Sequence, residues 1–230
     1  MIGVAFVLAG WFVGRMIYGY VHHFAFRLSQ EIHAAYIEIY PENPPHFAPE
    51  KSILTPMKTK ISQPYYCLFF ALLFALCYWL NEDIFTAICW ACFCSLLFAI
   101  SVVDGYYRLI SPALCQNLFA LGLGAAYWQI TPLTLEQSLQ SAVIFFAVFS
   151  LIYYGAKGYY KQEAFGRGDC WLALGLGAFF SYEQLPAFLL LACLLGLVYA
   201  LYGKLNQRHL TAIPFGPFLC LSGVLCRLLN

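Results

Sequence analysis

Two carboxylates stand at the ends of apolar runs, 65 positions apart, in a chain that has only three aspartates: Asp83, Asp104 and Asp169. Asp104 closes the run Ile100-Ser101-Val102-Val103. Asp169 follows Phe165-Gly166-Arg167-Gly168 and leads into Cys170-Trp171-Leu172. Two carboxyl groups brought within a few ångströms cannot both ionise cheaply, so the pair shares a proton. The ionised member can then activate water while the protonated one polarises a carbonyl, and an amide is hydrolysed with neither a metal nor a covalent intermediate. Gly166 and Gly168 flank the approach to Asp169 and admit close contacts that a side chain would block. A purely structural reading stands beside this one: Asp169 as a helix N-cap, and Asp104-Gly105 as a helix end with the glycine left-handed. No Ser-His-Asp pattern, HExxH string or phosphate-cradling glycine loop offers a rival chemistry.

The elements that must position these groups lie in a membrane. The 230 residues are 62% hydrophobic and 10% charged, whereas charged residues make up about a quarter of an ordinary soluble domain. The net charge of +1 and the lack of any basic run give no support for a nucleic-acid partner. The ten cysteines lie within or at the edges of apolar segments and read as small buried hydrophobes. Cys89-x-x-Cys92-x-Cys94 falls mid-span with no histidine nearby, so no metal site is expected there.

Spans of about 20 apolar residues are needed to cross a bilayer, fewer where neighbours shield them. Eight stretches qualify: 2–22, 65–80, 84–103, 113–130, 137–156, 170–181, 184–202 and 213–229. The expected fold is therefore all-α, a polytopic bundle of about eight transmembrane helices in contact with the lipid bilayer. Met1 to Tyr20 has no basic leading segment and reads as a retained helix. Lys and Arg favour short cytoplasmic loops. Arg27, Lys51, Lys58 and Lys60 fall in the first loop, Arg108 in the third, Lys157, Lys161 and Arg167 in the fifth, and Lys204 and Arg208 in the seventh. The even loops carry none. This alternation puts the odd loops in the cytoplasm, both termini outside, and Asp104 and Asp169 together on the inner face. The chain divides into residues 1–64, the first transmembrane helix with a proline-rich cytoplasmic loop, and residues 65–230, the membrane-embedded core. Within the loop, Ile32, Tyr36 and Ile39 recur at helical spacing, so Ser29 to Ile39 is expected to continue as helix and the proline-rich remainder to be irregular.

Three stretches resemble the type IV prepilin peptidases, GxGD-type aspartyl proteases of the bacterial inner membrane. They are Ile100 to Asp104 with Arg108-Leu109-Ile110 following, Gly166-Arg167-Gly168-Asp169 with Ala173-Leu174-Gly175, and Ile213-Pro214-Phe215-Gly216-Pro217-Phe218-Leu219. The resemblance covers most of residues 65–230. It implies that Asp104 and Asp169 are the catalytic pair, with Gly166 and Gly168 in the active-site loop and Pro214, Gly216 and Pro217 as a structural signature. It also implies the substrate, the basic leader of a type IV prepilin or type II secretion pseudopilin, cut at the cytoplasmic face, and partners in the pilus or secretion assembly machinery. Proteolysis of this type needs no cofactor. Many members also N-methylate the new terminus from S-adenosylmethionine, an activity the resemblance extends to this chain without placing its site.

Departures from the family pattern are local. Ser111 and Pro112 stand where the family has proline and then an acidic or amide residue, and Trp171 stands where it has lysine. Residues 27–64 contain no cysteine, so the zinc-binding CxxC pairs that many members carry there are missing. The alternative reading is a non-enzymatic membrane assembly or transport subunit that retains the peptidase fold and uses its charges structurally.

Overall fold

The computed structural model describes residues 2–42, 54, 57, 61–81, 83–161, 166–206 and 213–229. The described residues form α1 (Ile2–Ile39), α2 (Gln63–Leu80), α3 (Ile84–Tyr107), α4 (Pro112–Tyr127), α5 (Leu135–Tyr160), α6 (Arg167–Gly177), α7 (Leu185–Leu205) and α8 (Gly216–Leu229), with no strand among them. The chain is a polytopic membrane helical bundle, and it gathers into two compact units, Met1–Leu80 and Asn81–Asn230.

In the first unit, α1 packs against α2 through Gly10-x-x-x-Gly14. A Cβ at Gly14 would lie 2.7 Å from the Tyr66 carbonyl oxygen and 2.8 Å from Cys67 Cα, and a Cβ at Gly10 would strike the Phe70 carbonyl. Small residues one turn apart let two apolar helices approach backbone to backbone, the usual way to associate where lipid removes the hydrophobic drive. The helix runs on through Ser29 to Ile39 as its spacing predicts and stops before Pro41, whose ring disfavours helical torsions at the residue preceding it. Most of the proline-rich stretch that follows, including 43–53, 55–56 and 58–60, lies outside the described residues.

The second unit holds α3 to α8 around a core of Phe93, Leu97, Ile100, Leu118, Phe145, Phe149, Leu172, Leu176, Phe188 and Leu219. Local sequence sets several boundaries. Asp83 caps α3, Thr134 and Gln137 form a capping box on α5, and Pro112 occupies the first turn of α4, where its missing N–H costs nothing.

Among the described residues five helices, Ile2–Ile39, Gln63–Leu80, Ile84–Tyr107, Leu135–Tyr159 and Tyr182–Leu205, are long and apolar enough to cross a membrane. The other three expected spans are shorter. The helices α4, α6 and α8 have 16, 11 and 14 residues, which at about 1.5 Å per residue fall short of a hydrocarbon layer about 30 Å thick. Tertiary shielding lets α6 be so short. Gly175 brings it against the Cys115 carbonyl of α4, where a Cβ would lie 3.1 Å away, and a Cβ at Gly177 would lie 2.9 Å from Ala142 Cα of α5.

Candidate active site

The last turn of α3 carries Asp104. The helix does not end at Gly105, as the structural reading would have it. It runs to Tyr107, and Arg108 takes the left-handed conformation (φ 56°), its N–H donating to the Asp104 carbonyl at 2.8 Å. That leaves the Asp104 carboxyl free of capping duty and points it into the protein, where the residue is 5% exposed.

Its partner comes from the other end of the sequence. The Gly216 amide, at the start of α8, donates to Asp104 Oδ2 at 3.1 Å. A helix N-terminus offers unpaired amides and a positive dipole end, both favourable to a carboxylate. Position 216 must be glycine, because a Cβ there would lie 2.6 Å from Asp104 Oδ2 and 3.0 Å from its Cγ. Pro217 follows in the first turn of α8 with its Cγ facing Gly105, and half-buried Pro214 precedes the helix.

Asp169 sits in the first turn of α6, again 5% exposed. The N-cap of that helix is Gly166 and not Asp169, so the simple cap reading is corrected: the aspartate lies three residues inside, its N–H donating to the Gly166 carbonyl at 3.2 Å. Oδ2 turns back toward Gly166, 3.0 Å from where a Cβ would stand. Oδ1 is buried and makes no hydrogen bond among the described residues. The two aspartates are close enough for their charges to act on one another.

Ile110 fixes the spacing between the two halves, a role that sequence reasoning missed. A Cβ at Gly168 would lie 2.7 Å from Ile110 Cβ, and a Cβ at Gly216 would lie 3.2 Å from Ile110 Cδ1. One aliphatic side chain is therefore seated on both the glycine before Asp169 and the glycine bonded to Asp104. Apolar contact of this kind has no local signal, although Ile110 belongs to the first of the three recognised stretches. Two buried thiols, Cys115 of α4 and Cys220 of α8, also lie near Asp169.

The local departures are absorbed by packing. Trp171 lies beside Phe146 of α5, ring centroids 5.5 Å apart. Ser111 and Pro112 form the N-cap and first turn of α4. Arg167 donates from Nε to the Tyr153 hydroxyl at 3.2 Å, which ties the start of α6 to α5.

Comparison with known proteins points to one family. Residues 91–201, which carry both aspartates, match the type IV leader peptidase family. Over 227 residues the chain is 39% identical to a prepilin leader peptidase/N-methyltransferase of Haemophilus influenzae, covering 98% of this chain and 96% of that protein. The chain belongs to the type IV leader peptidase family. Other relatives in the family match over part of their length. A type 4 prepilin-like proteins leader peptide-processing enzyme of Escherichia coli is 34% identical over 128 residues, 56% of this chain and 46% of that one. A prepilin leader peptidase/N-methyltransferase of Dichelobacter nodosus is 32% identical over 127 residues, 55% of this chain and 43% of that one. No solved structure matches the chain.

Proposed function

We propose that this chain is an aspartic endopeptidase that removes the leader peptide from type IV prepilins or type II secretion pseudopilins, with Asp104 and Asp169 as the catalytic pair. The observation that carries the reading is that α3 and α6 each bury a carboxyl, and that Ile110 lies against both the glycine before Asp169 and the glycine bonded to Asp104. One carboxyl is fixed by the Gly216 amide, and the other presents an oxygen with no hydrogen-bond partner among the described residues. In a low-dielectric site the proton is held between the two and belongs to the pair. The charged member takes a proton from water as its oxygen adds to the scissile carbonyl, while the protonated member donates to the carbonyl oxygen. When the tetrahedral intermediate collapses, the C–N bond breaks and the dyad returns a proton to the leaving amine. Atoms and charge balance without a metal or an acyl-enzyme.

The site belongs at the cytoplasmic face of a bacterial inner membrane. The connections around it hold Arg108, Lys161 and Arg167, with Lys157 in the last turn of α5, whereas the connections at the opposite helix ends hold Asp83 and Glu183 and no basic residue. A basic leader meets the two aspartates on that side, and the assembly machinery of the pilus or secretion system receives the product.

Methyl transfer to the new N-terminus is the second activity named for the Haemophilus relative, and its methyl donor would be S-adenosylmethionine. At the end of α1 an open surface hollow of about 530 Å³ has the exposed residues Tyr36, Ile39, Tyr40, Pro41 and Glu42 among its lining. The rings of Tyr36 and Tyr40, centroids 5.1 Å apart, with one carboxylate beside them, fit a cationic nucleoside: aromatic faces attract a sulfonium or stack on adenine, and a carboxylate accepts from ribose hydroxyls.

The test is a cleavage assay in membranes with a prepilin carrying its leader, reading processed against unprocessed substrate at matched enzyme level. Processing that requires both aspartates supports the peptidase. No processing by the intact protein of any prepilin or pseudopilin from the same genome would favour the non-enzymatic subunit.

A further inference from the structure

The far end of α8 presents a group that the chemistry of the dyad does not use. Arg227, in the last turn of α8, holds its guanidinium carbon 4.3 Å from the centroid of the Trp90 ring on α3. The indole is 7% exposed and is held edge-on to Phe93 at 5.3 Å and beside Phe179 at 5.7 Å, so its N–H cannot swing to find a partner. Trp90 Nε1 and Arg227 Nε are both buried, both donors, and neither makes a hydrogen bond. Among the described residues no carboxylate pairs with Arg227. Each buried donor left unpaired costs about 1–3 kcal/mol, and a guanidinium in a membrane costs more. With the guanidinium over the indole ring, both unpaired donors belong to one contact, and an acceptor with several oxygens and a negative charge could serve the two together.

We infer that Trp90 and Arg227 form a binding site for a phosphate oxyanion, contributed by a phospholipid headgroup at the membrane surface opposite the dyad. Position favours the lipid phosphate over other acceptors. Arg227 stands two residues from the end of α8, and Trp90 lies about 9 Å from the start of α3 at a rise of about 1.5 Å per residue. Both therefore lie toward the membrane surface opposite the dyad, where arginine and tryptophan are commonly found. Guanidinium and phosphate form the strongest class of charge-assisted pair, and the indole N–H supplies an added neutral donor. Stacking on the ring orients the guanidinium plane before the anion arrives. The consequence reaches the other end of the bundle, because α3 and α8 are the same two helices that carry the Asp104 to Gly216 hydrogen bond. A phosphate bridging their far ends clamps the pair.

The experiment uses the full chain purified in a neutral detergent and reads its thermal unfolding midpoint on addition of phosphatidylglycerol, phosphatidylcholine or inorganic phosphate. Native mass spectrometry counts phospholipid molecules retained by the wild type. The expected result is a saturable rise in midpoint with phosphatidylglycerol and retained lipid adducts. Both should be lost in Arg227→Gln, weakened in Trp90→Phe, which keeps a smaller aromatic face and removes the N–H, and partly kept in Arg227→Lys. An equal, Arg227-dependent rise with inorganic phosphate would keep the oxyanion site and replace its lipid source by a soluble one. A rise of the same size in Arg227→Gln as in wild type, or a wild type that retains no phospholipid and shows no saturable rise with any phosphate, overturns the proposal. The phosphate is read by binding and not by proteolysis, so its failure leaves the peptidase reading untouched.

Discussion

The Gly216 amide donates to Asp104 Oδ2 at 3.1 Å, joining residues 112 positions apart. This contact gives the Pro214-Phe215-Gly216-Pro217 stretch a direct part in the site, because the same glycine starts α8 and holds the carboxylate. Gly216→Ala would place a methyl group 2.6 Å from Oδ2, so either the carboxyl or the helix start must move. A displacement of about 1 Å at reacting groups costs on the order of 100-fold in rate. Processing should fall by about that factor while the protein remains inserted. Gly155→Ala, at a position with no atom within 4 Å of the new Cβ, should leave it unchanged. Equal rates in the two variants would show that the Gly216 contact does not position Asp104.

Ile110 offers a test of spacing that leaves both carboxyls and both glycines in place. Its side chain lies against Gly168 and Gly216 together, so Ile110→Ala opens room between the two halves of the dyad. The expected result is a fall in kcat of about 10- to 100-fold with little change in KM, and Ile110→Val should restore most of the rate. A merely structural role would lower the amount of folded enzyme and leave kcat per folded molecule alone. Quantifying folded protein beside the rate separates the two.

Asp104 and Asp169 stand out in the sequence because an apolar chain with three aspartates makes each of them conspicuous, and the loop charges suggest one face for two of them. Helix positions were legible from hydropathy for the same reason. Other features were not. The short α6 depends on Gly175 and Gly177 bringing it against α4 and α5, a tertiary fact. Gly105 invited a left-handed helix end, yet Arg108 takes that conformation, because the Asp104 carbonyl accepts from Arg108 N–H and the helix continues to it. Ile110 looks like any other aliphatic residue until the fold sets it between two glycines.

Acid should loosen the start of α3. Asp83 accepts from the Thr86 amide at 2.9 Å and the Thr86 hydroxyl at 3.0 Å, and these bonds, the amide first, hold its carboxyl below the usual carboxylate range. A group with a depressed folded pKa contributes its stability above its ordinary pKa, about 4 for aspartate, and loses it as the pH falls through the depressed value. Asn at this position caps a helix at every pH. Asp83→Asn should therefore lose less thermal stability than wild type between about pH 6 and pH 3. Identical pH slopes in a melting series would remove the cap from the account.

The dyad itself is tested by changing one oxygen at a time. Asp169→Asn is nearly equal in size to the wild type, but an amide neither ionises nor acts as a general base, so processing should be abolished while the protein stays inserted. Asp104→Asn should do the same even though its side-chain oxygen can still accept from Gly216, because that bond positions the group without supplying the base. Residues that act as one unit are not additive, so the double variant should be no slower than either single one. Processing by the wild type should fall on both sides of an optimum, since one carboxyl must be charged and its partner neutral, and the two apparent constants belong to the pair. Asp83→Asn, at the opposite end of α3 from Asp104, should process normally and controls for the loss of a carboxylate as such. The quantity to compare is processed against unprocessed prepilin in membranes at matched enzyme level. Near wild-type processing by either Asn variant would end the aspartic mechanism and return that residue to a structural role, with the Asp104 to Gly216 bond then serving only to hold α3 against α8.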